Sequence, residues 1–192
     1  VQVTNASGCQ CTASTTTTVT VNPVPTAPTI SAGGTTTFCS GGSVTLTSTA
    51  GTSYLWSNGA TTQSITATTA GTYTVQVTNA SGCQSAASSG TSITINPTPA
   101  ISLGTVINPS ACGSTTGSVA VNGTGSGSVS WSGAASGSAA TASLPTTISN
   151  LGAGSYSIVL TSGAGCVSNS ISAGLTDPGA PTPPVITSSS SI

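Results

Sequence analysis

Six cysteines, three tyrosines and one aspartate, Asp177, are the only side chains in this sequence that titrate; it has no Lys, Arg or His. Catalysis by proton transfer needs a titratable group held at the reacting atom. Asp177 lies in Thr176-Asp177-Pro178-Gly179, which reads as a turn. A single carboxylate cannot form the acid pair of a glycosidase, and without histidine no Ser-His or Cys-His dyad can be assembled. Calcium needs several oxygen ligands, usually carboxylates among them. Nucleic acid and anionic membrane surfaces are bound through Lys and Arg. The expectation is a non-enzyme, with no catalytic residue, no cofactor, no metal and no nucleic-acid partner.

The cysteines are the remaining chemistry. Zinc requires close cysteine pairs at suitable spacing, and the one close pair is Cys9-Gln10-Cys11. Cysteines recurring at matched places in a chain rich in Ser and Thr point instead to disulfides and an extracellular setting. Charged residues are 1%, against about 25% in ordinary globular chains. A mucin-like disordered stalk shares such a composition, but it has no need of regular β patterning. No apolar run reaches the ~18 residues of a membrane span, so no membrane insertion is expected. Val1 opens directly on a strand-like segment, which suggests a mature or internal fragment.

These residues sit in a repeat. Val1-Gln2-Val3-Thr4-Asn5-Ala6-Ser7-Gly8-Cys9-Gln10 recurs letter for letter from Val75 to Gln84, and a divergent copy runs from Ile158 to Cys166. Tyr54-Leu55-Trp56-Ser57 corresponds to Val129-Ser130-Trp131-Ser132, and Gly71-Thr72-Tyr73 to Gly154-Ser155-Tyr156. Cys39 before Ser43-Val44-Thr45-Leu46 corresponds to Cys112 before Ser118-Val119-Ala120-Val121. The implied domains are 1–25, the last strands of a truncated repeat; 26–97, a complete repeat; 98–177, a divergent one; and 178–192, a Pro/Ser-rich linker or the start of another. Asn22-Pro23-Val24-Pro25 and Asn96-Pro97-Thr98-Pro99 mark the joints, where proline ends a strand and stiffens the link.

Within a repeat the period is two. Val44 and Leu46, Tyr73, Val75 and Val77, and Ile93 and Ile95 alternate with polar residues, mostly Thr. Alternation of this kind predicts antiparallel strands with one buried face. Short strands with frequent turns predict an all-β chain of tandem immunoglobulin-like antiparallel β-sandwich domains. Trp56 and Trp131 read as the core tryptophan of the third strand, with a sugar-binding platform as the competing use. Tyr73 and Tyr156, each following a Gly-x pair, resemble tyrosine corners. Asn5, Asn79 and Asn122 begin Asn-x-Ser/Thr triplets. These are glycosylation acceptors in a host with the machinery, but Asn5 and Asn79 fall where turn chemistry also favours Asn.

Phe38-Cys39-Ser40-Gly41-Gly42-Ser43-Val44, Tyr54-Leu55-Trp56, Ala70-Gly71-Thr72-Tyr73-Thr74-Val75 and Asn79-Ala80-Ser81-Gly82-Cys83 together resemble the immunoglobulin-like repeats of very large surface proteins of Bacteroidetes. The second repeat, with Asn150-Leu151-Gly152-Ala153-Gly154-Ser155-Tyr156 and Gly165-Cys166, is similar to the SprB-type repeat of gliding-motility adhesins. The resemblance implies export by type IX secretion, display on the bacterial cell surface, and a role in adhesion or gliding. The leading functional expectation is a structural shaft. The alternatives are a glycan- or surface-binding module and a pilin-like subunit that polymerises by strand addition. Expected partners are neighbouring repeats, other copies in a fibre, and surface polysaccharide.

The simplest disulfide scheme joins Cys39 to Cys83 and Cys112 to Cys166, one bridge per repeat. Each would close a loop of roughly 45 to 55 residues, with about 4 kcal/mol in the chain-entropy model. A geometric objection stands against it. In an immunoglobulin topology the second and sixth strands run the same way, so a cysteine before one and a cysteine after the other fall at opposite poles, beyond the ~7 Å Cα limit, unless the first strand bends enough to bring Cys39 beside the last hairpin. With that bend the within-repeat scheme remains the expectation. The alternative is Cys39 with Cys166. In either scheme, the absence of Lys and Arg makes the segment uncleavable by trypsin. Denatured, reduced protein incubated with trypsin should show no internal cleavage of residues 1–192 by mass spectrometry, and any internal tryptic fragment contradicts the sequence.

Overall fold

The structure is a computed structural model that describes residues 1–141 and 143–179. Apart from Pro178 and Gly179, the linker expected at 178–192 lies outside the described residues. Every regular element among the described residues is a β-strand. By packing, the chain forms two compact units. One comprises Val1–Gly34, Val44–Ala67 and Gly71–Ser92; the other comprises Thr35–Ser43, Thr68–Ala70 and the described residues from Ile93 onward.

The second unit is a two-sheet sandwich. Its strands are β9 (Ala100–Ile107), β10 (Gly117–Thr124), β11 (Gly127–Gly133), β12 (Gly137–Thr141), β13 (Thr146–Leu151), β14 (Gly154–Ser162) and β15 (Ile171–Leu175). One sheet has the order β13-β10-β9 and the other β12-β11-β14-β15, and all pairings are antiparallel. Numbered as immunoglobulin strands A to G, these are E-B-A and C′-C-F-G. Between the sheets, Val119 and Val121 of β10 meet Val129 of β11 and Tyr156, Ile158 and Leu160 of β14, with Ile101, Ile148, Leu151, Ala173 and Leu175 closing the cluster. The alternation in the sequence selects these residues: in β14 the buried positions are Tyr156, Ile158 and Leu160 in steps of two.

In the first unit the strands β1 (Ile30–Ala32), β3 (Val44–Ser48) and β5 (Ser64–Ala67) form one sheet in the order β1-β3-β5. The facing strands β4 (Ser53–Trp56) and β7 (Val75–Thr78) pair antiparallel, Trp56 opposite Val75. β6 (Gly71–Tyr73) leads into β7 after one residue, and β8 (Thr91–Asn96) runs beside β6, Thr72 and Ser92 hydroxyls 3.4 Å apart. Val44, Leu46, Trp56, Ile65, Ala67, Val75 and Val77 are buried. The end of β8 pairs parallel with β2 (Thr37–Cys39), Thr37 opposite Thr94 and Cys39 opposite Asn96. These paired residues belong to the second unit.

Val1 and Val3 share their sequence context with Val75 and Val77, yet they are 93% and 65% exposed where Val75 and Val77 are 1% and 5% exposed. A Thr4–Gln10 bridge marks the same hairpin as the Thr78–Gln84 bridge. The local turn therefore forms from local sequence, whereas burial depends on the sheets that face it.

Gly117 shows how tightly the second unit is packed. It is buried at the start of β10, and a Cβ there would come within 2.5 Å of Leu175 Cδ2 and 2.7 Å of the Leu151 carbonyl oxygen. Backbone on one side cannot yield. Gly117→Val should destabilise the second unit by roughly 1–3 kcal/mol or more. Equilibrium urea denaturation should show its transition moved to lower denaturant.

Candidate functional site

The cysteine-bearing hairpins are built three times over. Asn79 N donates to Cys83 O and Gly82 N to Asn79 O, each at 3.0 Å. Asn5 and Gly8 make the same pair with Cys9 and Asn5, and Ser162 and Gly165 with Cys166 and Ser162. The glycine before each cysteine needs a positive φ: 78° at Gly8, 79° at Gly82 and 81° at Gly165. A side-chain oxygen closes each turn. Asn79 Oδ1 accepts from Ser81 N and Cys83 N, Asn5 Oδ1 from Ser7 N and Cys9 N, and Ser162 Oγ from Cys166 N. Asn79 Nδ2 also donates to Pro23 O at 2.9 Å, so the atom a glycan would occupy ties the hairpin to the segment that enters the repeat.

Just beyond each cysteine, a further side chain takes a backbone donor of the preceding strand. Ser85 Oγ accepts from Val77 N and Ser168 Oγ from Leu160 N. At the corresponding position of the first hairpin, Cys11 Sγ accepts from Val3 N at 3.2 Å. In the aligned sequence Ser85 and Ser168 occupy the place of Cys11, and in the structure its sulfur stands in for their hydroxyl oxygens.

The disulfide joins Cys39 to Cys166, with Cα atoms 5.6 Å apart and 127 residues between them in sequence. This corrects the one-bridge-per-repeat scheme. Neither Cys39–Cys83 nor Cys112–Cys166 is formed, and Cys9, Cys11, Cys83 and Cys112 are free thiols. The reason is the polarity of the strands. Cys39 ends β2 beside Asn96, the residue that leaves the repeat, and Ser40 N donates to Asn96 O. Cys83 follows β7 and lies against Asn22 O, at the residue that enters it. Cys166 Sγ lies 3.9 Å from Asn96 O, on the side where Cys39 ends. Cys39 and Cys166 both belong to the second compact unit.

The aromatic residues divide. Trp56 is buried, and its indole Nε1 donates to Thr62 O at 2.7 Å. Trp131 is only half-buried at the margin of the second core. β12 pairs with β11 so that Gly137 stands opposite Trp131, and a Cβ at Gly137 would come within 2.5 Å of the indole. The ring lies over Gly137 of the edge strand while still packing against the core cluster. Tyr156 is buried and its hydroxyl donates to Gly152 O, four residues upstream, at 3.0 Å. Tyr73 is buried at the matching position.

Asp177 is exposed and accepts weakly from Gly113 N at 3.4 Å. Among the described residues, no group of three or more His, Cys, Asp or Glu side chains is placed to hold a metal ion. A shallow cleft of about 400 Å³ in the second unit is lined by Pro97, Pro99, Thr124, Gly125 and Ser162, without a charged or aromatic side chain.

No protein-family model and no curated protein sequence matches the chain. Among solved structures, the human OSCAR ligand-binding domain overlays at 15% identity, covering 80% of this chain and 100% of that one, with a TM-score of 0.31. Fibronectin(III)-like modules of Clostridium thermocellum CbhA overlay at 13% identity, 77% and 93% coverage and a TM-score of 0.42. A 1.5-MDa bacterial ice-binding adhesin overlays at 16% identity, 78% and 63% coverage and a TM-score of 0.36. The chain is an all-β protein of immunoglobulin-like sandwich type. That assignment rests on its own strand order and register, not on these overlaps.

The two tryptophans should respond differently to truncation. Trp56→Ala removes a fully buried ring and should cost about 3–5 kcal/mol. Trp131→Ala removes a half-buried one and should cost roughly 1–3 kcal/mol. Each variant retains one tryptophan as a fluorescent reporter, so denaturant titrations followed by fluorescence and by circular dichroism measure both.

Proposed function

We propose that the chain is part of the structural shaft of a secreted cell-surface fibre or adhesin made of tandem immunoglobulin-like repeats. The observation that carries this reading is the Cys39–Cys166 disulfide, which joins a segment of one sequence repeat to the hairpin of the next. A covalent tie of this kind, closing a long stretch of chain, resists extension, a property useful to a load-bearing chain. It also calls for an oxidising compartment, consistent with an extracellular location. The surface is hydroxyl-rich and nearly uncharged, and the cleft beside Pro97 and Pro99 offers neither acid nor base for chemistry. On this reading the protein is not an enzyme. Export by type IX secretion, display on a Bacteroidetes cell and service in gliding or adhesion follow from the resemblance of the repeats to surface-protein and SprB-type sequences. The neighbours in contact would be further repeats of the same kind.

Strand addition is the second reading, and the exposed valines Val1, Val3, Val19 and Val21 favour it. They leave exposed apolar side chains that another copy could cover. One set of measurements separates the readings. The purified chain should show no saturable binding to surface polysaccharides by calorimetry, and it should remain unpolymerised. Saturable binding would support a glycan-binding module instead, and spontaneous filaments would support strand addition.

A further inference from the structure

We infer that Cys83 and Cys112 are the two halves of the Cys39–Cys166 linkage, each poised to bond the complementary cysteine of an adjoining repeat. This rests on the tandem-repeat shaft proposed above. The structure contains one completed example of the bond and both of its components a second time.

The first component is the hairpin cysteine. Cys166 Sγ lies 3.9 Å from the carbonyl oxygen of Asn96, the residue before Pro97. Cys83 Sγ lies 3.9 Å from the carbonyl oxygen of Asn22, the residue before Pro23. Both hairpins carry the same pair of backbone bonds and the same positive-φ glycine. Cys83 therefore stands to its joint as Cys166 stands to Asn96-Pro97, where Cys39 is bonded.

The second component is the cysteine between the first and second sheet strands. Cys39 lies beside the departing strand, opposite Asn96 in the β2–β8 register. Cys112 lies beside the departing strand of the second repeat. Its Sγ is 3.0 Å from Pro178 O, and Gly113 N reaches Asp177 Oδ2. Asp177-Pro178 occupies the place of Asn96-Pro97 in the repeat. Cys112 is exposed and Cys83 half-buried, and both are free thiols.

The chemistry is an ordinary oxidation. Two thiols lose two protons and two electrons, and one S–S bond forms between them. The electrons and protons pass to a disulfide oxidant, such as glutathione disulfide, whose own S–S bond breaks to give two thiols. The partner of Cys112 is a Gly-Cys hairpin of the Cys83 or Cys166 type. The partner of Cys83 is a cysteine of the Cys39 type.

The test is a chain in which Val24–Asn96 is repeated after Pro178, refolded in a glutathione redox buffer. Non-reducing digestion with a protease of broad specificity, followed by mass spectrometry, reads the pairing. The expected products are Cys39–Cys166 and a new bond from Cys112 to the added copy's hairpin cysteine, with alkylation of Cys112 lost. Changing that added cysteine to serine should restore full alkylation of Cys112. If Cys39–Cys166 forms but Cys112 stays fully alkylatable, or bonds Cys83, the inference fails while the shaft reading stands. If Cys39–Cys166 itself does not form, both fail.

Discussion

Val119, Val121, Val129, Ile158 and Leu160 are almost wholly excluded from water, and burial of side chains like these is what holds the two sheets of the second unit face to face. The chain has almost no other means. With no Lys, Arg or His and one acid, side-chain ion pairs are closed to it. Magnitudes show why this is tolerable. Full burial of one aliphatic side chain is worth about 1.5–3 kcal/mol, whereas an exposed salt bridge contributes ~0–1 kcal/mol. A sandwich can discard its surface charge if its alternation is kept. Small cores nevertheless leave little margin. A disulfide closing a long loop then adds roughly 4–5 kcal/mol in the chain-entropy model, about the yield of two buried valines or leucines.

The parts of the fold that were legible in the sequence are those set by local spacing. The alternation of Tyr73, Val75 and Val77 gives β6 and β7, and the Asn-Ala-Ser-Gly-Cys run gives the hairpin that follows. The remainder depends on contacts that local spacing does not encode. β12, Gly-Ser-Ala-Ala-Thr, has no period-two apolar signature, yet it covers the edge of β11 and sets Gly137 opposite Trp131. β2 is three residues long and pairs parallel with a strand more than fifty residues away, a match that leaves no mark on composition. The pairing of cysteines has the same character. Matching repeats suggested one bridge within each, while strand polarity placed Cys39 and Cys166 together.

Side-chain oxygens and sulfur take over work that backbone pairing would otherwise do. Ser85 and Ser88 are buried, and their hydroxyls accept from Val77 N and Val75 N where the last strand of the repeat departs from β7. Each hydroxyl also donates to a carbonyl, Ser85 to Ala86 O and Ser88 to Ser89 O, so neither donor nor acceptor is stranded in the interior. Among the described residues no buried side-chain nitrogen or oxygen lacks a partner. The Ser and Thr content is therefore more than a solvated coat. Part of it replaces ladder hydrogen bonds at irregular strands, which explains why Ser168 and Cys11 can hold equivalent places with different atoms.

The lack of charge also changes how sheet edges must be protected. Natural β proteins often guard edge strands with lysine, inward charges, proline or bulges, because unpaired backbone groups invite pairing with another chain. Lysine is not available here, and the other devices are present. Pro97 and Pro99 precede β9, an edge strand, and remove backbone donors just where it begins. The pairing of β9 with β10 changes register between Val119 and Val121, a bulge that adds local twist. β12, another edge, is short and built of glycine, serine, alanine and threonine, with little apolar surface for a partner strand. At the Cys39–Cys166 junction the edge is covered instead, since β2 pairs with the end of β8 and the disulfide fixes the residue at which β2 stops. In an uncharged chain, proline, irregular register and covalent closure thus serve where electrostatic repulsion normally would.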